Sequence, residues 1–389
     1  MSDHAIWAYP WDLHDLGPAL LPRLRDLGLT HISLAASYHA GRFLQPGNPR
    51  RRVYFPQDGT VYYRPDPARW QGHLIQPQAA DIVATEGCQM TTLIRARDHG
   101  GLAVSAWTVC LHNTRLGLLH PDHVTRTAHG DANVYALCPS SPAVIRYVTG
   151  LVSEITETFA PDRIEIESSD FMGFSHGYHH EKDGLGLLTE DMFLLGLCFC
   201  AHCQTAAQAA GVDAGAARRT TADLLDAAFA RALPAAQFAD LPPQGSAAFA
   251  AYPALTAYLA WRSTPVTRLM AAIRAAAAPA TQVLLIDAEG SASTGVNLPD
   301  IIPHIDGVLH CAYHTAQDRI APLMAHTRSL LGPDKSLIAG LLLTYPAATG
   351  PDHLAARATQ ALLHADGLNF YNLGLVPPAR LDWIKACLP

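Results

Sequence analysis

Arg163-Ile164-Glu165-Ile166-Glu167 is a run in which charge and hydrocarbon alternate at every residue. A period of two is the geometry of a β-strand, whose successive side chains point to opposite faces. Arg163, Glu165 and Glu167 share one face, and Ile164 and Ile166 share the other. The Ile face suits packing against helices, and the charged face then lines an interior. Burying carboxylates is costly unless they are paired or protonated. The run therefore predicts an Arg163–Glu165 pair toward the floor of that interior and Glu167 nearest its mouth.

Working outward, seven more short apolar runs read as strands: Ile6–Tyr9, His31–Leu34, Ala103–Thr108, Gln282–Ile286, Gly307–His310, Leu337–Leu343 and Leu368–Tyr371. Segments with apolar residues at i, i+3 and i+4 follow most of them, at Pro18–Gly28, Pro142–Phe159, Gln317–Leu331, Asp352–Ala365 and Pro378–Cys387. Several open on Pro or Asp and close at Gly. This strand–helix alternation predicts an α/β protein, a (β/α)8 TIM barrel, with 1–389 as a single domain. An open doubly wound sheet is the alternative, but neither G-x-G-x-x-G nor a P-loop follows the first strand. Two connections exceed ordinary barrel loops. One, about 36–102, contains VYFPQDGTVYY, which reads as a hairpin turning on Asp58-Gly59. The other, 168–281, begins rich in His, Phe and Gly and continues in Ala-rich helices.

Composition removes whole classes of function. Of 389 residues, 49% are hydrophobic, which excludes disorder. No stretch approaches a membrane span, and a net charge of -7 argues against a nucleic-acid surface. The opening MSDHAIWAYP carries no signal-peptide pattern, and eight Cys fit reduced thiols, so a cytoplasmic location is expected. The expected partner is a small carbohydrate, with no nucleic acid and no membrane; a homo-oligomer stays open. The 20 His residues stand among aromatic and polar neighbours, as in a wide polar pocket.

A barrel carries its site at the carboxyl ends of its strands. Those ends supply Tyr38, His39, Trp107, His112, Asn113, His310, Tyr345, Tyr371 and Asn372, with His179, His180 and Glu289 on the following loops. Aromatic rings stack on sugars, and His, Asn and carboxylates bond hydroxyls, so these are the expected substrate contacts. Glu167 is the expected general acid, its pKa raised by burial and by Glu165. A second carboxylate is expected at Asp287, which follows VLLI directly, with Asp170 as the neighbouring candidate. No cofactor is expected on this reading. The alternative is a metal-dependent sugar isomerase, epimerase or lyase, with Glu167, Asp287, His310 and a His of 176–180 holding a divalent metal. A carbohydrate-binding barrel without catalysis is the third reading. Cys198-Phe-Cys200-Ala-His202-Cys203 places three thiols within six residues, a structural cluster bracing the long insertion, as thiols or through a metal.

The runs SYHAGRFLQPGNPRRRVYFPQDGTVYYRP (37–65), LHN (111–113), LCPSSP (137–142), IEIES (164–168), CFCAHC (198–203) and DGLNFYNLG (366–374) together resemble the hypothetical glycosyl hydrolase-like (β/α)8 families. The resemblance spreads over most of the chain. It implies a barrel of glycoside-hydrolase type with Glu167 as the fourth-strand carboxylate. Two departures accompany it. The large retaining barrel clan ends its seventh strand in a second Glu, where this chain has Thr344-Tyr345. The chitinase-like pattern puts three alternating acids on the fourth strand, where the first position here is Arg163.

Overall fold

The computed structural model describes residues 3–176, 178, 180–238, 241, 245–287 and 291–388. Eight parallel strands close on one another: β1 (Asp3–Ala8), β2 (His31–Tyr38), β3 (Ala103–Val109), β4 (Arg163–Glu167), β5 (Gln282–Asp287), β6 (Gly307–Cys311), β7 (Ser336–Leu342) and β8 (Gly367–Tyr371). Neighbours in sequence are neighbours in the barrel, and β8 pairs with β1. Every one of the eight apolar runs is a strand. The chain forms the expected (β/α)8 barrel, and the open sheet is excluded by the β8–β1 and β1–β2 pairings.

The alternation in β4 does what its chemistry requires. Ile164 and Ile166 are fully buried in the outer apolar layer, among residues of the surrounding helices. The helix before β4, Pro142–Phe159, starts as its sequence dictates: Ser141 caps Val144 N–H and Pro142 takes the first turn, where no donor is needed. No helix among the described residues is long and apolar enough to cross a membrane.

The expected hairpin on Asp58-Gly59 does not form. Val53–Tyr54 pairs instead with Phe43–Leu44, and Thr60–Val61 adds antiparallel to the end of β2. Asp58 is spent elsewhere, accepting from the backbone N–H of Ala40 and Arg115 at 2.9 Å each. Gly59 sits at φ +59°, and a Cβ there would lie 1.9 Å from Asn113 Oδ1, so the close approach demands glycine. A third excursion, between β3 and the 142–159 helix, carries the antiparallel pair Val124–Arg126 and Ala132–Leu137. It joins the two long connections on the carboxyl side of the barrel.

Candidate active site

The inner face is layered. At the floor, the Arg163 guanidinium pairs with Asp3 of β1, and its Nε donates to Gln282 Oε1 at 3.0 Å. Arg163 thus hydrogen-bonds Asp3 and Gln282 rather than Glu165, and only its charge reaches the Glu165 carboxylate, favouring the ionised form. Side chains at i and i+2 of one strand stand parallel, about 6.6 Å apart, and Arg163 reaches across the floor rather than up its own strand. Glu165, one layer higher, accepts from Trp7 Nε1 at 3.0 Å and Ser33 Oγ at 2.7 Å. Asn369 Nδ2 donates to Ser33 Oγ at 3.0 Å and extends that network. Burial pushes the Glu165 carboxyl above its ordinary range, opposed by the Ser33 bond and by the Arg163 charge.

Glu167 occupies the top layer, with part of its surface still open. Trp107 Nε1 donates to its carboxylate. Burial raises its pKa from 4.5 to about 7; the Trp107 bond opposes the rise and the Glu165 charge adds to it. Around it stand Trp7 and Trp107, ring centres 5.8 Å apart, and Tyr371, 6.2 Å from Trp107. Tyr313 lies 5.7 Å from Tyr371, whose hydroxyl is 3.0 Å from that of Tyr9. Trp7 and Tyr9 close the first strand run and Tyr313 follows the sixth, strand-end aromatics legible in the sequence, whereas Cys311 is a wall residue that the sequence does not single out. The signal that finds Cys311 is the same period of two, since the inward residues of each strand share one face.

A row of rings leads away from this centre. His39 stacks on Tyr38 at 4.2 Å and on His112 at 4.1 Å, and His112 meets His176 edge-on at 4.5 Å. Burial lowers the pKa of His39, and that of His112 to about 2, so both imidazoles are neutral. Beyond His112 opens a cavity of about 580 Å³, lined among others by Tyr135, Phe174, Tyr178 and Met192. The rings of Tyr135 and Tyr178 stack at 5.8 Å.

Other expected site residues stand elsewhere. Leu284 and Ile286 of β5 pack inside the barrel, whereas Val283 and Leu285 pack outside it. Asp287 continues the outer row. Its oxygen lies 3.8 Å from His310 Nδ1, which is 3.0 Å from Thr327 Oγ1 on the helix Gln317–Leu331. Burial brings the His310 pKa to about 4. Strand parity turns Asp287 and His310 toward the helices, although the charge of Asp287 still reaches the inward Cys311 thiol together with that of Glu167. Asn113 caps the helix Thr114–Leu119 through Oδ1 and donates to Gly59 O, and its side chain is buried in that task. Asn372 is fully buried and accepts from Gly374 N. Tyr345 is 70% exposed, on a loop where it faces solvent. His180 is exposed too. Asp170 is partly buried on the loop after β4, three residues beyond Glu167. His179 and Glu289 lie outside the described residues. Cys198, Cys200 and Cys203 come together, and Cys138 joins them.

No family model matches the chain, and no curated protein does. Solved structures do match. An α-L-fucosidase isoenzyme 2 from Paenibacillus thiaminolyticus superposes with a TM-score of 0.52 at 12% identity, over 100% of this chain and 49% of that one. The chain thus spans about half the length of that fucosidase. A chitinase from Rhizomucor miehei matches at TM-score 0.48 and 9% identity, over 99% of this chain and 100% of that one. A chitinase from Bacteroides thetaiotaomicron matches at 0.47 and 8%, over 100% and 95%. At such identities the likeness is one of fold, a (β/α)8 barrel.

Proposed function

We propose that this protein hydrolyses a glycosidic bond in a small oligosaccharide or glycoside, with Glu167 as general acid. The observation that carries the reading is the placement of Glu167. A carboxyl held inside an aromatic-walled barrel mouth, with its pKa raised to about 7, keeps a proton to donate near neutral pH. Trp107 orients it through a hydrogen bond. Tyr313 and Tyr371, only partly buried, offer ring edges and hydroxyls to a sugar, and His39 and His112 offer ring nitrogens. The adjoining cavity beside Tyr135 and Tyr178 suits a further sugar unit.

Glycoside chemistry ordinarily needs a second carboxyl, about 5–5.5 Å away for retention or 6.5–9.5 Å for inversion. Asp287 faces the helices, so we assign this role to Asp170. Burial raises the pKa of the nearby Cys110 thiol, and the charges of Glu167 and Asp170 both add to that rise. Asp170 would serve as base for water or as nucleophile. The fucosidase and chitinase names among structures of like fold fit this class of reaction, and the sugar itself is left to experiment.

The test is a screen of aryl glycosides, followed by Glu167→Gln on the activated substrate and on a natural glycoside. Turnover on the natural glycoside should fall by ~10²–10⁴-fold while binding persists, with a smaller loss on the activated substrate, whose leaving group needs little protonation. Undiminished turnover on both would remove Glu167 as the acid. Saturable sugar binding without any turnover, unchanged in Glu167→Gln, would favour a carbohydrate-binding barrel.

A further inference from the structure

The thiols of Cys138, Cys198, Cys200 and Cys203 are all buried, and their four sulfurs lie within 4.8 Å of one another. Cys138 lies just after the strand Ala132–Leu137; the other three flank the start of the helix Ala201–Ala209, some sixty residues later. The Cys138 sulfur is 3.5 Å from that of Cys203, 3.5 Å from that of Cys200 and 3.9 Å from that of Cys198. A metal at the centre of a sulfur tetrahedron with Zn–S of about 2.3 Å sets the sulfurs about 3.8 Å apart. The recorded separations bracket that edge. Disulfides would instead draw the sulfurs into two pairs at about 2.05 Å.

Polar groups approach three of the four sulfurs. Backbone N–H groups point at two of the sulfurs, Arg126 N at 3.4 Å from Cys198 Sγ and Cys203 N at 3.5 Å from Cys200 Sγ. Ser140 Oγ is 3.2 Å from Cys203 Sγ. Such outer donors orient and tune metal ligands. The buried guanidinium of Arg262 hydrogen-bonds the carbonyls of Ser293 and Gly196; burial lowers its pKa, and the charges of Tyr258, Cys198, Cys203 and Asp170 oppose that.

We infer that Cys138, Cys198, Cys200 and Cys203 form a structural zinc site, one Zn²⁺ displacing four thiol protons. All four positions are filled by protein sulfur, which leaves no open position for catalysis. The ion would join the third excursion, which carries Tyr135, to the 168–281 insertion, which carries Phe174, Tyr178 and Met192, and so fix both walls of the 580 Å³ cavity. Phe199 N already bonds Arg126 O at 2.7 Å across the same seam.

Metal analysis of the full chain, purified under reducing conditions without chelator, should find one zinc per chain. Exchange into Co²⁺ should give the thiolate-to-cobalt charge-transfer band and the visible bands of a tetrahedral sulfur site. Cys138→Ser should lose the metal and melt earlier, while Cys387→Ser, whose thiol stands apart, should keep it. If Cys138→Ser fails to fold, the cobalt spectrum of the unaltered chain decides. Iron at the same stoichiometry would overturn the choice of zinc. A reduced chain that binds neither Zn²⁺ nor Co²⁺, or alkylation and mass analysis showing disulfides among the four, would overturn the site. None of these readouts depends on glycoside turnover, so the site and the proposed activity fail separately.

Discussion

Glu167→Gln should make the protein more stable in mildly alkaline solution, and the structure gives the amount. An unfolded Glu titrates near 4.5, and burial raises Glu167 to about 7 in the folded protein. The sign follows from which state binds the proton. Below pH 4.5 the group is neutral in both states and contributes nothing. Between 4.5 and about 7 the unfolded chain ionises first, so native stability falls with rising pH. Above about 7 the penalty is complete, about 3 kcal/mol at 1.36 kcal/mol per pH unit. Gln keeps the shape and the acceptor for Trp107 Nε1 but has no proton to lose, so the variant escapes the penalty. With an unfolding entropy of about 2.1 cal/mol/K per residue, 3 kcal/mol in a chain of 389 residues is roughly 4 °C in Tm. Melting wild type and variant side by side from pH 4 to 9 should give curves that coincide at the acid end and separate across 4.5–7. A constant gap, or a variant less stable at pH 8, would show that Glu167 is not held protonated by burial, and the general-acid assignment would lose its physical basis. The assay needs no substrate.

Trp107→Phe removes the hydrogen bond that opposes the rise at Glu167. A bond to a charged group contributes about 1.5–3 kcal/mol, so the alkaline limb of the turnover profile should move up by about 1–2 pH units. Asp170→Asn should cut turnover ~10²–10⁴-fold, and Asp287→Asn, on the helix side, should stay within about tenfold; equal losses would contradict the parity argument. Arg163→Met strands Asp3 at the floor and should cost about 3–5 kcal/mol in denaturant melts, with the turnover profile keeping its pH dependence. Asn113→Ala removes a helix cap and the bond to Gly59 O, at a cost of about 1 kcal/mol or more, with no change in sugar affinity.

The barrel was legible because its signal is local. Each strand is a short apolar run, and β4 announces both its faces within five residues. The site was legible only in so far as it obeys the same period. Glu167 is inward because Glu165 is inward, and the count needs no tertiary knowledge. Asp287 shows how the count is lost. VLLI is apolar on both faces, as a parallel strand covered on both sides must be. Nothing in it says which leucine turns inward. Only the packing of Leu284 and Ile286 against the inner layer fixes Asp287 outside. The Asp58-Gly59 turn failed for the opposite reason. Its composition fits a hairpin, but the Asp58 carboxylate is taken by two distant N–H groups and Thr60–Val61 by the edge of β2. Cys138 belongs to the same class. It lies sixty residues from its partners, with no spacing rule to join them; the barrel joins them by setting the loops after β3 and β4 side by side. Adjacency of consecutive strands is the one long-range fact a (β/α)8 reading supplies. It is enough to bring Cys138 to Cys198, Cys200 and Cys203, and Trp107 to Glu167. The Trp107–Glu167 contact and the thiol cluster are therefore built on the same pair of strands. Fixing the cluster positions Tyr135 and Tyr178 relative to the acid that β4 carries.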